Sequence, residues 1–176
     1  MQARLPNFQS VFQVYAVIAV MFTAWTITAF LWKLSAWLLI LNIGEILTIF
    51  SYAMITDLLE SLLVLLFLLL ICILLPASIL RDDFVVRGTI LSAGIIGSLM
   101  AFVRLHMEVG MDAGLNLLLG PLAVLLLTAI LLALAPRFGF IRSAIAWISD
   151  RLTVFLYILV PLFVVLSAYV VVRNIT

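Results

Sequence analysis

The chain alternates between long apolar runs and short polar interruptions. The extreme run is Ser61–Pro76 (SLLVLLFLLLICILLP), which carries no charged residue. A membrane-spanning strand would show alternating apolar and polar positions over about ten residues. These runs are continuous, so the pattern predicts helices. A helix needs about 20 mostly apolar residues to cross the hydrocarbon core. Val11–Trp32, Leu58–Leu80, Gly88–Leu105 and Leu115–Ala135 meet that requirement, and Leu152–Val172 is a fifth. Charged, glycine- and proline-containing stretches separate the later ones: Arg81–Arg87 (RDDFVVR), His106–Gly114 (HMEVGMDAG) and Pro136–Arg151.

The stretch Lys33–Asp57 fits this scheme least well. It is too apolar for a solvated loop, and Lys33 alone divides it from the first span. Asn42-Ile43-Gly44 is its best break, because Asn and Gly tolerate left-handed backbone. In the reading taken here, five helices span and this stretch is re-entrant or interfacial around Asn42–Gly44. A variant lets the first two helices run long and meet there outside the bilayer. The alternative makes the stretch a sixth span.

Composition identifies the solvent. The chain has 176 residues, 68% hydrophobic and 10% charged, with a mean hydropathy of +1.43. Soluble domains are about 45–50% apolar and about 25% charged. Lipid is therefore the expected surrounding, and backbone groups in lipid must bond internally. The expected fold is all-α: a polytopic transmembrane bundle forming one integral membrane domain over residues 1–176, without repeats or a linker. The N-terminal segment has one basic residue and no Ala-x-Ala cleavage pattern before the first span, so that span is expected to be retained. A net charge of +1 offers no footprint for nucleic acid. Cys72 is the only cysteine and lies in an apolar run, and His106 is the only histidine, so neither a disulfide framework, a metal site nor a cofactor is expected.

Charge then suggests an orientation. Lys and Arg accumulate on the cytoplasmic side of short loops. With five spans, Arg4, Arg81, Arg87, Arg137, Arg142 and Arg151 share one side, and Lys33, Arg104 and Arg173 share the other. Loops 81–87 and 136–151 are thus expected inside and the C-terminus outside, a result that the six-span alternative also gives. The side of the N-terminus depends on the span count. Phe138, Ile141, Ile145 and Ile148 recur at helical spacing with Arg142 and Arg151 off that stripe. Phe140–Arg151 is accordingly read as a helix lying on the inner leaflet.

Small residues mark a packing face. Ala93, Gly97 and Ala101 recur every four residues, with Gly94 and Ser98 as a second pair. Such positions let helices approach closely where hydrophobic burial gives no drive for association. Pro161 lies near the middle of the last span and is expected to bend it.

Ionisable groups at membrane depth are costly and become functional candidates. Glu45, Thr48, Ser51 or Tyr52, Thr56 and Glu60 form a stripe at helical spacing that could line a path for a cation or proton, with Asp57 beside it; equally, the stripe could be a wet face at the outer interface. Asp57 and Glu60 read as span-end residues. Arg104 and Glu108 can pair four residues apart, and His106 with Glu108 or Asp112 could relay a proton; the plainer reading ends a helix at the interface. Arg81-Asp82-Asp83 and Arg87 read as a solvated loop that caps the next helix near Gly88.

No G-x-S-x-G, HExxH, P-loop or CxxC occurs. Five spans, a long second segment entered through Tyr52–Leu62 (YAMITDLLESL) and an outward last helix resemble the membrane part of lipoteichoic-acid-synthase-like sulfatase-fold enzymes. That resemblance covers no catalytic motif and carries over no site residue; it implies the membrane domain of a lipid- or cell-envelope-modifying enzyme. The leading functional expectation is a non-catalytic membrane subunit or anchor that packs against other membrane proteins or its own copies within the bilayer. The alternative is a small transporter or channel using the Glu45/Thr48/Tyr52/Thr56 stripe.

Overall fold

The computed structural model describes residues 6–74, 83–109, 116–135 and 137–175, with 107–109 and 116–117 described as backbone only. The described residues form five helices: α1 (Phe8–Trp37), α2 (Ile43–Leu74), α3 (Phe84–Val109), α4 (Asn116–Leu134) and α5 (Gly139–Ile175). No strand occurs among them. Four of these helices contain segments long and apolar enough to cross a membrane: Phe8–Trp37, Ile43–Leu74, Phe84–His106 and Gly139–Ile175. The apolar part of α4, Leu118–Leu134, is shorter.

The first two helices run beyond their apolar runs. α1 continues through the exposed Lys33 to Trp37. A single charged side chain on an exposed helix face does not break the backbone ladder. The chain reverses over 38–42 and re-enters helix at Ile43. A reciprocal cap sets that start. The Glu45 backbone N–H donates to Asn42 Oδ1 at 2.9 Å, and the Asn42 N–H donates to Glu45 Oε2 at 2.9 Å. This is the capping box in its Asn form. α2 therefore starts at Ile43, not Leu58, and the ambiguous stretch is shared between two long helices meeting at a tight turn. This is the helical layout of the long-helix variant.

Two further boundaries differ from expectation. α3 starts at Phe84, just after Asp83, whose carbonyl accepts from the Arg87 N–H. Gly88 is thus inside the helix rather than at its cap. A Cβ there would stand 3.3 Å from Val14 and 3.4 Å from Leu68, so glycine lets α3 settle against α1 and α2. In addition, Phe140–Arg151 is helical but continues without interruption into Leu152, giving α5 its 37 residues. Residues 75–82, including Pro76, Arg81 and Asp82, lie outside the described residues, as do 110–115 with Asp112.

α1 is the hub. It contacts α2, α3 and α5, while α4 packs chiefly on α3, and the backbones of α2 and α3 approach closely at few points. The burial pattern agrees: Val14, Ala16, Ile18 and Ala19 on α1 are essentially inaccessible. Val14 and Ile18 pack with Leu68, Cys72, Phe84 and Ile96; Ala16 and Ala19 pack with Met54, Leu156, Leu159 and Phe163. Between α3 and α4 the spacing is set by glycine. A Cβ on Gly94 would collide with the Thr128 side chain, and one on Gly97 would lie 3.5 Å from Val124. The small-residue stripe thus borders a neighbour within the same chain, with Ala93 and Ala101 half-buried.

Side-chain bonds fix the helix directions. Gln13 Nε2 donates to Asp150 Oδ1 at 3.0 Å, joining the start of α1 to the first part of α5. Arg173 donates to the Gly44 carbonyl at 2.9 Å, joining the end of α5 to the start of α2. The helices therefore alternate in direction along the chain, with α1, α3 and α5 parallel.

Candidate functional site

The most unusual polar group lies at mid-helix. α2 has 32 residues, so Asp57 is roughly 20–25 Å from either end at about 1.5 Å per residue. It thus lies within the helix and not at either of its ends. Its side chain is 5% exposed. Thr26 on α1 donates its hydroxyl to Asp57 Oδ1 at 2.7 Å. The second oxygen, Oδ2, is buried with no hydrogen-bond partner. Among the described residues no basic side chain forms an ion pair with Asp57 or with Glu60 one turn away.

This carboxylate borders a cavity of about 510 Å³. α1 supplies Phe22, Trp25 and Thr26; α2 supplies Ala53, Thr56, Asp57 and Glu60; α3 supplies Ile96, Leu99, Met100 and Val103. α2 and α3 both flank α1, and their backbones approach closely at few points, although Leu68 and Cys72 of α2 share a core with Phe84 and Ile96 of α3. The cavity is thus a cleft between them with α1 at its back. Glu60 and Thr56 stand at exposed positions on its wall, while Asp57 is buried. Asp57 and Glu60 are three residues apart and so share one face of α2.

The remaining candidates go elsewhere. Glu45 is engaged in the α2 cap. The Thr48 hydroxyl donates to the Gly44 carbonyl at 2.7 Å, is 3.3 Å from the Tyr169 hydroxyl and accepts from Arg173. The Tyr52 hydroxyl donates to Asn174 at 3.0 Å. The upper part of the stripe is therefore zipped against the end of α5. Only Thr56 and Glu60 from the stripe join Asp57 at the cleft. His106 is exposed and stacks on Phe102 with ring centroids 6.2 Å apart. Arg104 is exposed on α3, and the Glu108 side chain lies outside the described residues. No cluster of three His, Cys, Asp or Glu suited to a metal occurs among the described residues.

Thr26 was not among the sequence candidates. No local signal marks it, since Thr is unremarkable in an apolar helix and its partner lies 31 positions away. Besides Asp57 Oδ2, the buried Thr23 hydroxyl is also without a partner, one turn before Thr26 on α1.

Compared with family models, curated proteins and solved structures, the chain matches none. The resemblance to sulfatase-fold membrane domains therefore stands on span layout alone.

Proposed function

We propose that the chain is a five-crossing membrane protein that takes up a cation or proton at Asp57, in the manner of a small transporter. One observation carries this reading: a mid-helix carboxylate borders a cleft with one oxygen satisfied by Thr26 and the other unpartnered. An isolated carboxylate in hydrocarbon is expensive. The cost falls when a proton neutralises the carboxylate or a cation in the cleft lies beside it, so occupancy of the cleft is favoured. The working residues are Asp57, Glu60 and Thr26, not the Glu45/Thr48/Tyr52 part of the stripe.

In this reading α4 is the fifth crossing. Its 19 residues extend about 28 Å, close to the roughly 30 Å hydrocarbon thickness. α5, at 37 residues, extends about 55 Å, so its first turns project past the core. Trp147, exposed and 5.6 Å beneath the Arg151 guanidinium, suits a headgroup setting there, and Arg142 pairs with Asp83 at 2.9 Å. The arginine-rich end is assigned to the cytoplasm.

The test is flux through the full chain in proteoliposomes. Wild-type protein is expected to raise proton or monovalent-cation leak above that of empty vesicles, and Asp57→Asn to lower the increment at least tenfold. Glu45→Gln is expected to leave it unchanged. Equal flux for wild-type and Asp57→Asn would remove the reading.

A second reading is the subunit or anchor. It is favoured by α4, which packs chiefly on α3 and turns Leu119, Leu122, Leu126 and Ile130 outward, all at least half exposed. Native mass analysis in mild detergent separates the two: a stable hetero-complex supports the subunit.

A further inference from the structure

The cleft has a chemistry beyond bare charge, and it narrows what can occupy it. We propose that it binds a lipophilic organic cation, with the positive centre at Asp57 and Glu60 and the apolar body against Phe22, Trp25, Leu99 and Met100. This rests on the reading of Asp57 as the cation site.

Three observations converge on that class. The first is size. A cavity of about 510 Å³ lies within the roughly 300–1,000 Å³ of drug-sized ligand sites and far exceeds what a bare ion fills. The second is the wall. Apart from the two carboxylates and two threonines it is hydrocarbon and aromatic ring. An inorganic ion such as calcium needs about six to eight oxygen ligands. Here the Thr26 hydroxyl is already committed to Asp57, and the Thr56 hydroxyl donates to the Tyr52 carbonyl at 3.0 Å. Two carboxylates cannot complete such a shell, but they match a single diffuse positive charge. Trp25 and Phe22 are among the lining residues, and aromatic rings attract a cation that lies over their faces within about 6 Å. The third is exposure. Thr56 and Glu60 on α2 and Leu99 and Val103 on α3 line the cleft at exposed positions, so a bulky ligand can reach it.

The probe is tetraphenylphosphonium, with tetraphenylborate as a control of similar size and opposite charge. The full chain is held in lipid nanodiscs, with Trp32, Trp37 and Trp147 replaced by Phe so that Trp25 alone reports. Saturable quenching of Trp25 by tetraphenylphosphonium is expected, and none by tetraphenylborate. Asp57→Asn should weaken the cation at least tenfold and Glu60→Gln several-fold. Asp57→Glu, which keeps the charge, should retain binding and guards against misfolding as the cause of a loss. Leu99→Phe, at an exposed position on the cleft wall, adds bulk without a second indole, leaves both carboxylates, and should weaken it several-fold. Equal binding of both ions, or tetraphenylphosphonium binding indifferent to Asp57→Asn and Leu99→Phe, overturns the proposal. If Asp57→Asn abolishes ion flux while tetraphenylphosphonium never binds saturably, the site stands and the organic-cation class falls. If flux and binding both ignore Asp57, both fall.

Discussion

Thr26 and Asp57 form an unequal pair: one hydrogen bond is made, and one carboxylate oxygen is left without a partner. A net hydrogen bond contributes about 0.5–1.5 kcal/mol, or about 1.5–3 when one partner is charged, whereas a buried group left unsatisfied costs about 1–3 kcal/mol or more. The pair is therefore a poor stabiliser and fits a site kept for binding, where stability and function commonly trade off. The consequence can be checked by thermal unfolding in mild detergent. Asp57→Asn removes the charge, keeps an acceptor for Thr26, and should raise the unfolding midpoint. Thr26→Val leaves both oxygens unpartnered and should destabilise by about 1–3 kcal/mol. A lower midpoint for Asp57→Asn than for wild type would mean that the carboxylate is structural. Gly94 presents the opposite case, a residue whose role is purely steric. Any side chain there meets Thr128, so Gly94→Leu should lower the midpoint, with Thr128→Ala recovering part of the loss.

Helix boundaries depend on two different kinds of signal, and only one of them dominates a hydropathy reading. Apolar run length identified the α3 and α4 segments to within a few residues and the end of α5 likewise, but placed the start of α5 at Leu152 although the helix begins at Gly139. It misplaced α2, whose first half is polar enough to resemble a surface. Thr48, Ser51 and Thr56 each donate to the carbonyl four residues earlier, at 2.7, 2.7 and 3.0 Å, so their hydroxyls are satisfied within the helix and do not interrupt it. The start of α2 was written in Asn42-x-x-Glu45, a capping pattern legible in the sequence but outweighed by the length criterion. The site was less legible still. Asp57 and Glu60 could be named as candidates, but Thr26, the cleft and the depth of Asp57 arise from contacts between helices, which no one-dimensional period contains. The cap supports a prediction of its own. Asn42→Ala should cost about 1 kcal/mol and speed amide exchange over Ile43–Leu47, whereas Glu45→Gln, which can still accept from Asn42, should leave exchange near wild type.

At the scale of the whole molecule, the decisive contact is Gln13 with Asp150, because it places the start of α1 at the same end as the first part of α5. The other end gathers Gly44, Thr48, Tyr169 and Arg173. The proposed five-crossing layout keeps the N-terminus on the side of Arg137–Arg151, as that bond needs, and segregates Arg87, Arg137, Arg142 and Arg151 from Lys33, Arg104 and Arg173. A six-crossing layout puts the N-terminus on the opposite side and requires that bond to be absent. The arrangement can be read by labelling single cysteines in a Cys72→Ser background with a membrane-impermeant maleimide. Gln9, Ser143 and Asn174 are exposed positions near the helix ends. Gln9→Cys and Ser143→Cys should react from the cytoplasmic side only, and Asn174→Cys from the opposite side only. If Gln9→Cys and Ser143→Cys react from opposite faces, the bundle holds an odd number of crossings between them. The cleft at Asp57 would then have to be rebuilt from a different set of neighbours, because α1 could not run parallel to α5 while supplying Thr26 to α2.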